Sequence, residues 1–162
     1  MLLINTYVQR SPIQGLGCFT SDSIKKGQLV WTYDKDSDIS VLVEKLPDLP
    51  PRIRLMLQWY GYGEVIDNVR VITLCCDNAR FMNHSLSSNI AEHAGDNYAS
   101  RDIAAGEELL CNYFDYDLDA TEKLFQLSVM EEECVEMASN QSFSAAINFI
   151  RSHSLNLLHI IK

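Results

Sequence analysis

Short β-forming runs, each cut off by turn residues after a few positions, dominate the first 113 of the 162 residues. Leu2–Val8 is rich in β-formers, and Gly15-Leu16-Gly17 then leads into Cys18-Phe19-Thr20. Leu29-Val30-Trp31-Thr32-Tyr33 and Val69-Arg70-Val71-Ile72-Thr73-Leu74 have the β-branched and aromatic content of strands. Ile24-Lys25-Lys26-Gly27-Gln28 and Ala104-Ala105-Gly106-Glu107-Glu108 read as turns, each built on a permissive glycine, and the second enters the apolar run Leu109-Leu110-Cys111. Asp34–Ser40 reads as a polar loop. Leu46-Pro47-Asp48-Leu49-Pro50-Pro51 is a stiff break, because proline fixes φ and removes a donor, and Arg52–Tyr60 after it reads as a short helix. The pattern predicts a mainly β chain of several small sheets.

After Tyr116 the period changes. Asp119-Ala120-Thr121-Glu122 has the acidic first turn of a helix start, and Leu124, Leu127 and Met130, then Val135 and Ala138, recur at helical spacing. Ser139–Ser142 breaks the pattern. A second helix is expected from Phe143 to about Ser152, with Ala146, Ile147 and Ile150 on its apolar stripe, and Leu155–Ile161 extends it. The expected division is residues 1–116 as one domain and 117–162 as a helical extension, which closes the site or mediates oligomerisation, for instance as a homodimer.

Composition narrows the function classes. Hydrophobic residues at 47% and charged residues at 22% suit a globular domain rather than a disordered one. Lys and Arg number 13 against 22 Asp and Glu, and 13 − 22 leaves −9. Such a surface repels nucleic-acid phosphate and anionic lipid and attracts basic polypeptide, although acidity also serves solubility alone. Neither direct nucleic-acid binding nor a membrane is expected. The five cysteines form no Cys-x-x-Cys pair, so neither a disulfide framework nor a zinc site is expected, and a reducing compartment follows. The N-terminus is too short and polar for a signal peptide, and no apolar run approaches the roughly 18 residues of a membrane span. An intracellular place is expected, cytoplasmic or nuclear. His84 and His93, near Cys75, Cys76 and Asp77, fit no standard zinc spacing, so no metal is expected. Nothing in sequence lowers the pKa of Cys111, which reads as a buried structural thiol.

Four segments acquire meaning from their order. They are Gly15-Leu16-Gly17, Val30–Tyr33, Arg80-Phe81-Met82-Asn83-His84-Ser85 with Asn89, and Gly106-Glu107-Glu108-Leu109-Leu110-Cys111-Asn112-Tyr113. Alone, each is weak: a Gly-x-Gly is usually a turn, and a tyrosine at a strand end is usually core. Together they resemble the SET-domain family over about Ile4 to Tyr116. The Gly-x-Gly, the Ile24-Lys25-Lys26-Gly27 turn and the strand ending in Tyr33 match its opening pattern. Arg80–Ser85 matches its Arg-Phe-x-Asn-His-Ser motif, and Asp102–Tyr113 its Asp-Ile-x-x-Gly-Glu-Glu-Leu run closing on Tyr. This sequence departs in lacking the Cys and Pro of Asn-His-Ser-Cys-x-Pro-Asn, keeping only Asn89, and in lacking flanking cysteine-rich zinc clusters. The helices after Asp119 are then the candidates for the wall of the substrate channel.

The resemblance implies a SET-type fold with a knot-like core and a protein-lysine N-methyltransferase that uses S-adenosylmethionine. It implies a cofactor site at Gly15, Leu16, Gly17, Arg80, Phe81, Asn83, His84 and Tyr113, a substrate channel at Tyr33, Cys111 and Tyr116, and catalysis by Tyr113 and Tyr33. A basic, lysine-containing protein such as a histone-like tail is the implied substrate. The residue two before the closing Tyr, here Cys111, often influences how many methyl groups are added in the family. The residue chemistry agrees. Glycines admit a ligand close to the backbone, Asn83 carries both donor and acceptor, and carbonyls around Arg80–Met82 suit weak C–H contacts from an activated methyl. A free lysine is charged, with a pKa near 10.4, so a narrow tyrosine-walled channel must desolvate it to expose the lone pair. Two other readings compete: a catalytically silent SET-fold interaction module, against which Asn83, His84 and Tyr113 are intact, and an interaction protein acting through residues 119–162.

Overall fold

The computed structural model describes residues 1–128. Its first element is a hairpin of β1 (Thr6–Arg10) and β2 (Leu16–Thr20), with Thr6 opposite Thr20 and Arg10 opposite Leu16. Gly15 takes φ +49° at its turn, a conformation that side chains with a Cβ rarely adopt. A five-stranded sheet runs in the order β3 (Leu29–Trp31), β9 (Asp96–Ala99), β8 (Ile90–His93), β10 (Leu110–Cys111), β7 (Asn83–His84). A third sheet pairs β4 (Ile39–Leu42), β6 (Val69–Leu74) and β5 (Tyr62–Ile66), with α1 (Pro51–Tyr60) preceding β5. Residues 120–128 form helix α2. The mainly β architecture of several small sheets with a helix at its C-terminal side is the one the sequence predicts.

Three boundaries differ from expectation. The first strand is Thr6–Arg10 rather than Leu2–Val8, because its register follows β2; Leu2 instead makes an isolated bridge to Trp31. The third strand stops at Trp31, short of Tyr33. Ile39 and Ser40, expected in a loop, begin β4, which pairs with the edge of β6 and sets the Ser40 hydroxyl 2.8 Å from that of Thr73. A partner strand thus overrides a polar local sequence. A 3-10 turn at Val43–Asp48 runs into the proline break, and Pro51 opens α1, where its missing N–H costs nothing.

The knot-like element lies at β10. Leu110 and Cys111 pair in parallel with Asn83 and His84 on one side, and Cys111 with Ile90 on the other. Leu110–Cys111 therefore lie between the two ends of one continuous stretch, Asn83–Ile90. Asn89, 1% exposed, locks this joint: its Nδ2 donates to the Glu108 carbonyl at 2.7 Å and its Oδ1 accepts from the Leu110 N–H at 2.8 Å. Below it lies the core of Cys18, Ile24, Val30, Met82, Ile90 and Leu109. Each fully buried aliphatic side chain there contributes about 1.5–3 kcal/mol. Asp117 then ties the start of α2 to β5, since its Oδ1 accepts the N–H groups of Gly63 and Asp119, each at 2.9 Å. Leu124 and Leu127 lie on α2; Met130, Val135, Ala138 and the second helix expected from Phe143 fall outside the described residues.

Candidate functional site

Threading β10 between β7 and β8 brings Tyr113 against His84 and Met82, about thirty positions earlier in the chain. The Tyr113 N–H donates to His84 Nδ1 at 3.1 Å, and its hydroxyl donates to the Met82 carbonyl at 2.7 Å. Burial pulls the His84 pKa below its ordinary value against the opposing charge of Asp115, so the imidazole is held neutral with a lone pair on Nδ1 and the proton on Nε2. Burial also drives the Tyr113 pKa well above that of a free phenol. This shift favours the protonated hydroxyl, which donates to the Met82 carbonyl.

On one side of Tyr113 lies the Asn83–Gly15 edge. Asn83 Nδ2 faces three oxygens: Glu108 Oε1 at 2.8 Å, the Leu16 carbonyl at 3.0 Å and the Gln14 carbonyl at 3.2 Å. The reverse amide would set oxygen against all three, so the orientation is decided by its surroundings. Asn83 Oδ1 accepts no hydrogen bond from the described residues and is the atom left for a ligand. Above the Gly15 turn a Cβ would meet nothing within 4 Å. Leu16 is half exposed, and the exposed ring of Phe114 meets His84 edge-on at 5.4 Å. An open backbone, a free amide oxygen and apolar side chains suit a ligand with a flat heterocycle and hydrogen-bond donors. The residues present therefore fit S-adenosylmethionine. Gly17 serves the interior instead: a Cβ there would lie 2.2 Å from Glu108 Oε1.

On the other side lies a cavity of about 370 Å³. Tyr33, Cys111 and Tyr116, the expected channel residues, line it together with Tyr113, and Trp31, Trp59, Tyr60 and Tyr62 add to an aromatic wall. The Tyr116 ring meets Tyr62 at 5.5 Å and Tyr113 at 6.1 Å, both edge-on. Cys111 is buried with its Sγ 3.4 Å from Met82 Sδ, and burial pushes its thiol up to about 12, so it stays protonated. Tyr33 is 40% exposed, with its hydroxyl 3.4 Å from Ser40 Oγ. Arg80 lines the cavity as well; its guanidinium lies 4.9 Å over the Phe81 ring and donates to the Cys76 carbonyl. Phe81 itself packs against the core and meets Tyr60 at 5.5 Å.

Two residues at the site had no role in the sequence reading. Glu108 is a buried carboxylate, 8% exposed, that accepts from Ser11 Oγ at 3.0 Å and from Asn83 Nδ2. Its signal was an acid entering an apolar strand, where an unpartnered charge is costly. Lys123, on α2, reaches the cavity wall and lies 5.5 Å over the Tyr113 ring. Nothing local in the sequence marks that approach.

Comparison with known proteins places this geometry. The SET domain family matches residues 15–114. No curated protein matches the chain. Among solved structures, Polycomb Repressive Complex 2 of Chaetomium thermophilum, in an autoinhibited conformation bound to S-adenosylmethionine, is 21% identical with a TM-score of 0.54, over 76% of this chain and 17% of that one. An active polycomb repressive complex 2 in the basal state is 22% identical with a TM-score of 0.53, over 69% and 15%. A candidate histone methyltransferase of Plasmodium falciparum is 21% identical over 69% of this chain and 95% of that one, at a TM-score of 0.48. At these identities the two polycomb likenesses speak for the fold alone, and this chain spans only a small part of those proteins. The family match covers the glycine turn, the Asn83-His84 strand and Tyr113 together, and the chain belongs to the SET-domain family.

Proposed function

We propose that this protein is a methyltransferase that moves a methyl group from S-adenosylmethionine to a lysine of a basic protein or peptide, such as a histone-like tail. The observation that carries this reading is that Tyr113 joins the Asn83–His84 edge to the aromatic cavity and places a donor hydroxyl on the Met82 carbonyl. When bound, the cofactor supplies an electrophilic methyl: a lysine nitrogen forms the new N–C bond as the S–C bond breaks, and sulfur keeps that electron pair. Gly15 and Leu16 leave the backbone open to the cofactor, and Asn83 Oδ1 accepts from it. Gly17, Arg80 and Phe81 take no direct part there: Gly17 packs on Glu108, Arg80 lines the aromatic cavity and Phe81 packs on the core. His84 fixes the Tyr113 backbone. Tyr33, Cys111 and Tyr116 wall the channel in which the amine is desolvated, and the Tyr113 hydroxyl orients its lone pair. Water carries the proton away.

The test is a peptide array with labelled cofactor, together with the cofactor's effect on thermal unfolding. Stabilisation by S-adenosylmethionine plus label on lysine peptides is the expected result. Stabilisation without transfer would favour a silent interaction module, and neither would remove the reading. Asn83→Ala should weaken cofactor binding by about 1–3 kcal/mol, the loss of one to a few hydrogen bonds; unchanged affinity by calorimetry in a folded variant would assign the contact elsewhere.

A further inference from the structure

Beneath the Asn83–Gly15 edge lies a buried carboxylate that no cation of the described residues pairs. Glu108 and its neighbour Ser11 are each 8% exposed. Ser11 Oγ accepts the N–H groups of Ile13 and Gln14 and donates its proton to Glu108 Oε2 at 3.0 Å, while Asn83 Nδ2 donates to Oε1 at 2.8 Å. Both carboxylate oxygens therefore accept. Every ion pair among the described residues involves another carboxylate; Glu107, the next residue in the chain, is neutralised by Arg101. The fold also makes room for Glu108, since Gly17 lies against Oε1 where a Cβ would sit 2.2 Å away.

A carboxylate taken out of water is costly unless a positive charge compensates it. The side of Glu108 left for such a charge is the ligand side of Asn83, whose Oδ1 faces out and whose Nδ2 is ringed by the Gln14 and Leu16 carbonyls. The field of Glu108 also reaches the reactive end, where it is one of the charges that favour the protonated Tyr113 hydroxyl. Asp115 acts on His84 with the same sign. The stretch from Asn83 to Tyr113 is thus electronegative. We propose that Glu108 makes the cofactor site prefer a sulfonium to a neutral thioether, so that the site's hold on the cofactor loosens once the methyl group has left; this rests on the function proposed above. S-adenosylmethionine and S-adenosylhomocysteine share the adenosine, the ammonium and the carboxylate, and differ by one methyl group and one positive charge. Contacts with the shared groups cancel in the ratio of the two affinities. The attraction of a fixed anion for the extra charge does not cancel, and because the anion is buried, salt screens it little. Glu108 works across Asn83 rather than by touching the ligand, so it is a positioning residue that acts through its charge.

Calorimetry on the full chain gives the dissociation constants of S-adenosylmethionine and S-adenosylhomocysteine, and their ratio is the readout. The unaltered chain should bind S-adenosylmethionine more tightly, by on the order of tenfold, and added salt should leave that preference in place. Glu108→Gln keeps the shape of the side chain and removes its charge. In that variant the ratio should fall toward one, chiefly through weaker binding of S-adenosylmethionine. A purely structural role, the loss of a hydrogen bond that holds Asn83 or Ser11, weakens both ligands alike; an unchanged ratio in a folded Glu108→Gln overturns the proposal. Ser11→Ala removes one hydrogen bond to Glu108 and keeps the charge, so it should keep the ratio; a ratio lost there as well would place the preference in the geometry of the turn and also overturn it. Should Glu108→Gln not fold, the unaltered chain and Ser11→Ala still decide. Equal affinities in the unaltered chain, or tighter binding of S-adenosylhomocysteine, overturn this inference alone; a chain that binds neither ligand overturns the function beneath it.

Discussion

Tyr113 spends its single hydroxyl proton on the Met82 carbonyl, and that choice fixes where its oxygen lone pairs face. Removing one oxygen should leave the fold intact, at a cost of about 0.5–1.5 kcal/mol for the hydrogen bond. Tyr113→Phe should therefore keep nearly full cofactor affinity and lose about a hundredfold in turnover, because the amine is no longer oriented. Steady-state rates beside calorimetric affinity check this; full activity would move the role to Tyr33 or Tyr116. Cys111 invites a second substitution. Its buried thiol is small, protonated and a weak hydrogen-bond partner, so it leaves room for a methylated amine to turn. Products beyond monomethyl-lysine are expected, and Cys111→Tyr should shift them toward monomethyl. Mass spectrometry after long incubation decides; monomethyl product alone from the unaltered chain would mean that another side chain closes the channel. At this scale the sequence carried the motif residues but not their directions. Asn83 has a donor and an acceptor in any sequence, and only three surrounding oxygens decide which of them faces out.

Elements of two residues do not hold themselves in place. β7 and β10 are that short, and β10, on which β7 pairs, is held by the side chain of Asn89, which satisfies the Glu108 carbonyl and the Leu110 N–H. Asn89→Ala leaves a buried carbonyl and a backbone N–H without their partner and should cost about 2–4 kcal/mol. The exposed Ser87→Ala should cost within about 0.5 kcal/mol. Urea midpoints of the two variants make the comparison, and equal midpoints would show that the β10 joint is held by packing instead. The elements legible in the sequence were those with strong local signals. Val69–Leu74 is a strand over its whole expected length, and the helix expected over Arg52–Tyr60 starts one residue earlier, at the proline that ends the break. β4 was not legible, because Ile39 and Ser40 become strand only when β6 offers an edge.

The whole molecule carries −9, and within that total the candidate substrate cavity holds, among the described residues, four carboxylates against two cations. A long-range field of that sign should gather basic peptides, and salt should screen it. KM for a Lys/Arg-rich peptide is expected to rise several-fold between low and physiological ionic strength while kcat stays constant. A KM indifferent to salt would make the acidity a matter of solvation. Cofactor binding is governed by the Asn83–Gly15 edge and should respond less, which gives an internal control.

The spacing of short strands, glycine turns and the Arg80–Ser85 and Asp102–Tyr113 runs was enough to identify the family and the fold class, because such signals are local or depend on chain order alone. The tertiary structure decided what order cannot express. Threading β10 beside β7 sets Tyr113 on Met82, the buried Glu108 turns the Asn83 amide, and the docking of α2 through Asp117 brings Lys123 to the ring of Tyr113. Each is a contact between residues distant in sequence or set by a neighbouring element, and its energy comes from burial and charge pairing that exist only once those elements meet.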